Sequence, residues 1–202
     1  MDPIQAAALM NPALSSWMAI KTRTKDLPPN FTVLILGVTT VSGTVAISLA
    51  RRLGAGKVIG VARNAETMGK LGLDQEIVLK NPVAETDFES VGDVDLILDY
   101  LYGEPFEVLM MGLKSKVLVQ YVQVGSMAGQ EASLNPAVLR SKDVTLRGSG
   151  PGSWSLKSAK MEFAGMVDGI KGLETKVRCV KLSEIGVVWG KSSAGERLVF
   201  IP

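Results

Sequence analysis

The chain has 202 residues, no histidine and one cysteine, and its 22 basic and 20 acidic residues leave a formal net charge of +2. The lack of histidine excludes Ser-His-Asp and Cys-His nucleophile systems and histidine-ligated metal sites within the chain. The near balance of charge argues against a nucleic-acid-binding surface, and the lone Cys179 gives neither an internal disulfide nor a thiolate metal cluster. We therefore expect no metal and no nucleic-acid partner.

The apolar runs of the sequence are short and fall well below the ~18 residues of a membrane span. The N-terminus carries no basic region of the kind that begins a signal peptide. With a single cysteine, these features predict a cytoplasmic protein that binds no membrane.

Small and apolar residues at helical spacing predict a first helix over 6–24, which ends at a Pro-Pro breaker. We interpret residues 1–30 as a hinge helix and linker. Residues 31–150 then alternate short apolar strands with helices and are predicted to form a dinucleotide-binding domain. The strands are predicted over 31–36, 57–61, 76–79, 94–98, 117–124 and 144–146, and the helices over 44–53, 66–71, 82–90, 104–113 and 136–140.

A glycine-rich breaker over 148–152 ends this alternation. Residues 151–202 are predicted to form a helix, a strand, a second helix and a last strand that pack on the same domain as a return segment. Short, wholly apolar strands between helices are typical of a parallel sheet that is buried on both faces. The fold prediction is therefore α/β: a doubly wound, mostly parallel Rossmann sheet with helices on both faces.

The turn after the first predicted strand is the strongest candidate for a binding site. A Rossmann unit begins with a strand, a G-x-G-x-x-G turn and a helix. Gly37 holds the first glycine position, whereas Thr39 and Ser42 stand at the second and third. Small hydroxyl side chains can donate to phosphate, and the helix N-terminus adds amide donors. We predict dinucleotide binding here, against the alternative of a turn that only maintains the fold. The predicted residues are Gly37, Thr39, Thr40, Val41, Ser42 and Gly43.

A second prediction concerns the end of the second strand, where an acidic residue would bind the ribose 2′-hydroxyl of NAD. The sequence has Arg63 and Asn64 there. Because arginine suits a phosphate through bidentate hydrogen bonds, the cofactor is predicted to be NADP(H). An ordinary solvated loop arginine is the alternative.

Polar and aromatic residues follow the fourth and fifth strands, at the edge where open α/β sheets bind ligands. Asp99, Tyr100 and Tyr102 are the candidate catalytic residues, and packing is the alternative for the two tyrosines. Gly125 and Ser126 are predicted to border the cofactor.

Four segments together resemble medium-chain dehydrogenase/reductases, in their quinone-oxidoreductase-like, zinc-free alcohol dehydrogenase branch. They span residues 11–20, 33–55, 57–63 and 196–200. The resemblance implies a Rossmann domain that binds NADP(H), preceded in such proteins by a GroES-like barrel with catalytic or zinc-binding residues. The sequence matches the Rossmann part and the return segment, so only the cofactor positions are carried over. These are Gly37, the turn 39–43, Arg63, Asp99 and Gly125.

Three functions follow as hypotheses. The first is a truncated NADP(H)-dependent oxidoreductase acting on an enone, quinone or carbonyl small molecule, alone or with a separate catalytic partner chain. The second is a repurposed isomerase or cyclase of small-molecule biosynthesis, with Asp99, Tyr100 and Tyr102 as acid/base groups and Trp154 as a stacking group. The third is a non-catalytic binding domain. The resemblance also implies a homodimer, because in relatives the sixth strand lies at the sheet edge.

Overall fold

The structure is a computed structural model that describes residues 2–190 and 196–202. Strands and helices alternate through most of it. The strands are β1 Thr32–Leu36, β2 Lys57–Ala62, β3 Gln75–Val78, β4 Leu96–Asp99, β5 Val119–Gln123, β6 Val144–Gly148, β7 Val177–Lys181 and β8 Arg197–Ile201. The helices are α1 Pro3–Arg23, α2 Val41–Arg52, α3 Ala65–Met68, α4 Glu104–Gly112, α5 Pro136–Ser141, α6 Leu156–Gly169 and α7 Ile185–Val188.

Within the described residues, β1 to β6 form one parallel sheet in the order β3-β2-β1-β4-β5-β6. The strand order reverses between β1 and β4, and ligands of open α/β sheets bind in the crevice at such a point. The doubly wound α/β fold predicted from the sequence is confirmed.

The core explains why the strands are wholly apolar. Successive side chains of a strand point to opposite faces of a sheet. Val33 and Ile35 pack on one face with residues of α1 and α2, whereas Leu34 and Leu36 pack on the other face with residues of α4. All four side chains are fully buried. Helices cover both faces, so no residue of β1 beyond Thr32 meets solvent.

Several predicted elements differ from the structure in their bounds or type. Helix α2 begins at Val41, three residues before the predicted start, because the Thr40 side chain caps it. The weak helix predicted to residue 90 is instead two short 3-10 turns, Val83–Glu85 and Glu89–Val91. The sequence predicts that the helix after the glycine-rich breaker begins at Trp154, but Ser155 caps α6 and leaves Trp154 in the loop before it.

The strands of the return segment do not join the large sheet. β7 and β8 pair with each other in parallel, in a register that opposes Val177 to Arg197. Contacts between β8 and α1 hold this small sheet against the first helix. No helix among residues 2–190 and 196–202 combines the length and apolarity needed to cross a bilayer.

Candidate functional site

The turn after β1 has the geometry of an anion-binding helix start. Gly37 adopts a positive φ of 91°, and its amide donates to Val61 O at 2.9 Å, which fixes the sharp bend. Thr40 caps α2, with its Oγ1 accepting from Gly43 N at 3.0 Å. The amides of Val41 and Ser42, the first two of α2, have no carbonyl partner within the helix and lie at its positive end.

Gly43, rather than Ser42, provides the close helix–strand packing that the third motif glycine provides in a Rossmann turn. A Cβ on Gly43 would lie 2.4 Å from Gly37 O and 2.7 Å from Val38 Cα. Both neighbours are backbone atoms of the turn and cannot rotate away. The prediction that Ser42 fills the third glycine position is therefore wrong by one residue.

Two cavities meet at this turn, and both are bordered by Thr39, Thr40 and Met127. We name the first the outer cavity. It has a volume of about 450 Å³ and extends towards the ends of β2 and β3. The second, the inner cavity, has a volume of about 580 Å³ and extends towards α1 and the loop after β6. A cleft that passes over a helix N-terminus at the strand-order reversal is a typical dinucleotide site.

Two cations border the outer cavity. Arg63 follows β2, as predicted, and Lys80 follows β3. Sequence reasoning missed Lys80, because its proximity to Arg63 depends on the parallel pairing of β2 with β3. Asn64 does not border the cavity, since its Oδ1 accepts from Thr67 N at 2.9 Å and caps α3.

The inner cavity draws residues from parts of the chain that the sequence does not connect. Ser42, Tyr100 and Gly125 border it, as the strand-end argument predicts. The remaining walls come from α1, from the loop after β6 and from the start of β8. The bordering residues that sequence reasoning did not assign to the site are Asn11, Leu14, Ser15, Val124, Ser149, Gly150, Pro151, Glu196 and Arg197.

Asp99 is an internal anchor and does not border either cavity. Its side chain is fully buried. Oδ1 accepts from Leu101 N at 2.7 Å and Tyr102 N at 2.9 Å, and Oδ2 accepts from the Tyr121 hydroxyl at 2.6 Å. Burial raises the pKa of this carboxyl, against the lowering effect of these three donors. The structure thus gives Asp99 a role in fixing the turn after β4, not the position of an acid/base group.

The raised pKa of Asp99 predicts that the stability of the unaltered chain and that of Asp99→Asn depend differently on pH. A carboxyl whose folded-state pKa exceeds its unfolded value contributes stability that is complete below the unfolded pKa and is lost as pH rises through the folded one. The free energy of unfolding of the unaltered chain should therefore fall, relative to that of the variant, as pH rises above about 4, the pKa of an unfolded-state aspartate. Urea unfolding of both proteins at a series of pH values measures this change. A rise in the stability of the unaltered chain relative to that of the variant would contradict the prediction.

The two tyrosines of this turn face different cavities. The Tyr100 hydroxyl is buried beside the inner cavity and shares a 2.8 Å hydrogen bond with Ser16 Oγ of α1, and burial raises its pKa above the ordinary value. Tyr102 lines a separate cavity of about 400 Å³, where its ring lies 5.3 Å from that of Phe106. Ser126 lines that same cavity and donates to Gln130 at 3.2 Å. Tyr102 and Ser126 therefore lie outside the cleft at the turn.

No family model matches the chain. A probable NADPH-dependent quinone reductase of Emericella nidulans is 34% identical over 222 residues, an alignment that covers 100% of this chain and 62% of that protein. The chain thus spans less than two thirds of the length of this curated relative.

Solved structures show the same fold. A 2-haloacrylate reductase superposes with a TM-score of 0.76 at 20% identity, covering 100% of this chain and 66% of its own. The Bacillus subtilis protein yhfP, crystallised with NAD, gives 0.75 at 17% identity, covering 98% and 63%. The Escherichia coli protein YhdH, crystallised with NADPH, gives 0.71 at 14% identity, covering 91% and 58%. Together with the sheet order, the comparisons confirm that this chain resembles the Rossmann part of the medium-chain dehydrogenase/reductases, in their quinone-oxidoreductase-like branch.

Proposed function

We propose that the chain is the NADP(H)-binding part of an oxidoreductase that reduces an enone, a quinone or another carbonyl compound of low molecular mass, alone or with a separate partner chain. The carrying observation is the pair of cavities that meet at Thr39 and Thr40, with Arg63 and Lys80 beside one of them. The similar protein of Emericella nidulans, described as a probable NADPH-dependent quinone reductase, supports the same cofactor and reaction class.

The residues of the cleft fit a phosphorylated dinucleotide. Arg63 and Lys80 would bind the 2′-phosphate, because both are cations at the far end of the outer cavity. The amides of Val41 and Ser42 would bind the diphosphate at the start of α2. Cavities of about 450 and 580 Å³ lie within the size range of ligand sites. When bound, NADPH supplies a hydride, and the role of this chain is to hold and orient it in the inner cavity.

The isomerase or cyclase alternative loses support from the same geometry. It requires an acid/base group free to meet a substrate in the inner cavity. Asp99 is sealed in the core by three hydrogen bonds, and Tyr102 lines a different cavity. The Tyr100 hydroxyl is held by Ser16. The absence of glycine at two motif positions also gives this alternative little support, because Gly43 supplies the close packing of helix on turn.

Cofactor titration followed by turnover tests the proposal. NADPH should bind the chain with saturation, as measured by calorimetry, and NADH should bind more weakly. Oxidation of NADPH should then depend on an added quinone or enone, in the presence of a partner chain if one is needed. Absence of NADPH binding at millimolar concentration would overturn the proposal.

We also propose that the protein forms a homodimer through β6. This strand is the last of the sheet, so its outer backbone groups have no strand partner within the described sheet. Leu146 of β6 and Leu139 of α5 are 39% and 51% exposed, which adds apolar area at this edge. Light scattering at micromolar concentration should give twice the mass of one chain, and a monomeric mass would contradict the proposal.

A further inference from the structure

The loop that joins β6 to α6 contains two buried hydrogen-bond donors without a partner. They are Ser149 Oγ and Trp154 Nε1, and both residues border the inner cavity. We name residues 149–154 the donor loop. In the part of the chain that the structure describes, Arg23 Nε is the one other buried side-chain atom of this kind. A buried donor that has lost water and gained no acceptor costs folding free energy, so the pair requires an explanation.

Poor organisation of the loop is not that explanation. Ser149 N donates to Gln123 O at 2.8 Å, which continues the pairing of β5 with β6. Ser153 closes a tight turn, with its amide donating to Gly150 O and its Oγ accepting from Gly150 N, both at 2.9 Å. Arg23 of α1 donates to Ser153 O at 2.9 Å. Backbone groups of Ser149, Gly150 and Ser153 are thus hydrogen-bonded, while the two side-chain donors are not.

The chemistry of the two donors limits the group that would satisfy them. An indole N–H can only donate, and the hydroxyl can donate its one hydrogen, so an occupant that satisfies both must supply an acceptor oxygen. Neither donor is charged. The cavity that they border is lined by Pro151 and the Trp154 ring on their own loop, and by the oppositely charged residues Glu196 and Arg197 at the start of β8. Two uncharged donors suit a neutral carbonyl group better than a phosphate, which the amides at the start of α2 serve.

We propose that Ser149 Oγ and Trp154 Nε1 bind a carbonyl oxygen of the molecule held in the inner cavity. This inference rests on the proposed function, because that function places two carbonyl groups there: the carboxamide of the nicotinamide and the carbonyl of the substrate. Both atoms are buried in the free chain, so the donor loop moves when they engage the oxygen. The middle of the donor loop faces open space, since nothing lies within 4 Å of the Cβ positions of Gly150 and Gly152.

The test combines stability with binding in Ser149→Ala and Trp154→Phe, which remove the donors with little change of shape. Because each removes an unpaired buried donor, the Tm of the free chain should stay or rise, by up to about 2–4 °C. Loss of one hydrogen bond should weaken binding of the ligand that carries the carbonyl by about 3- to 10-fold. Ser141→Ala and Trp189→Phe are the matched controls, because neither residue borders the inner cavity.

Calorimetry with two ligands separates the sources of the oxygen. If NADPH binds both variants more weakly while 2′-phospho-ADP-ribose binds them normally, the donors serve the carboxamide. If NADPH binding is unchanged and kcat/KM for an enone or quinone falls, they serve the substrate. Unchanged binding and turnover, or a clear fall in Tm, would overturn this inference and leave the proposed function standing. Failure of the unaltered chain to bind NADPH would instead overturn the proposed function, and this inference with it.

Discussion

Replacement of Arg63 and Lys80 together by alanine is expected to weaken NADPH binding by about 10- to 100-fold and to leave NADH binding within about twofold. The two ligands differ only in the 2′-phosphate, a doubly charged group at the far end of the outer cavity in the proposed site. Hydrogen bonds to charged groups contribute about 1.5–3 kcal/mol each, and because both side chains are exposed we expect their combined contribution to stay below about 3 kcal/mol. Calorimetric titration of both nucleotides measures the ratio of their dissociation constants.

A single variant, Arg63→Lys, sharpens this prediction. Arg63 offers a planar fork and Lys80 a point charge, so Arg63→Lys should lose part of the preference for NADPH although the charge is kept. Arg178→Gln is the matched control, because Arg178 is an exposed arginine of β7 that does not border the cleft. Equal losses of NADPH and NADH affinity in the double variant would show that the cations do not contact the 2′-phosphate. The salt dependence of NADPH binding should also decrease in that variant.

The sheet was predictable because its signals are local. The residues of β1 are almost all apolar because α1 and α2 cover one face of the strand and α4 covers the other. The pairing of β7 with β8 was not predictable, because the sequence of a short strand does not specify its partner. These two strands form a separate sheet that contacts α1.

The site was predictable where it follows strand ends and not where it depends on contacts between distant residues. Lys80 joins Arg63 only through strand pairing, and Arg197 reaches the inner cavity from the last strand. An aspartate at a strand end appears functional in a sequence, whereas the hydroxyl of Tyr121, 22 residues away, makes Asp99 an internal anchor. A motif can place a turn in the chain, but only the packed backbone identifies the position that excludes a side chain.

Gly43 is that position, and Gly43→Ala is expected to have the largest effect of any single methyl addition near the cleft. The new Cβ would meet Gly37 O at 2.4 Å and Val38 O at 2.8 Å, distances at which the backbone must shift. Overpacking of this kind costs about 1–3 kcal/mol or more, so we expect a loss of at least about 2 kcal/mol in the free energy of unfolding. Urea unfolding measures this loss. Gly186→Ala is the control, because nothing lies within 4 Å of its Cβ position in α7.

The same shift should abolish measurable NADPH binding in Gly43→Ala, because α2 would move away from the turn and the amides of Val41 and Ser42 would no longer converge on the diphosphate. Ser42→Gly tests whether Ser42 or Gly43 occupies the close-packed glycine position of the motif. If Ser42 stood at the close-packed position, its replacement by glycine would improve NADPH binding, and Gly43→Ala would be tolerated. Because Gly43 is fully enclosed and Ser42 only half-buried, we expect the reverse: a change of less than about threefold for Ser42→Gly. Calorimetry on the folded fraction of each variant distinguishes lost binding from lost fold.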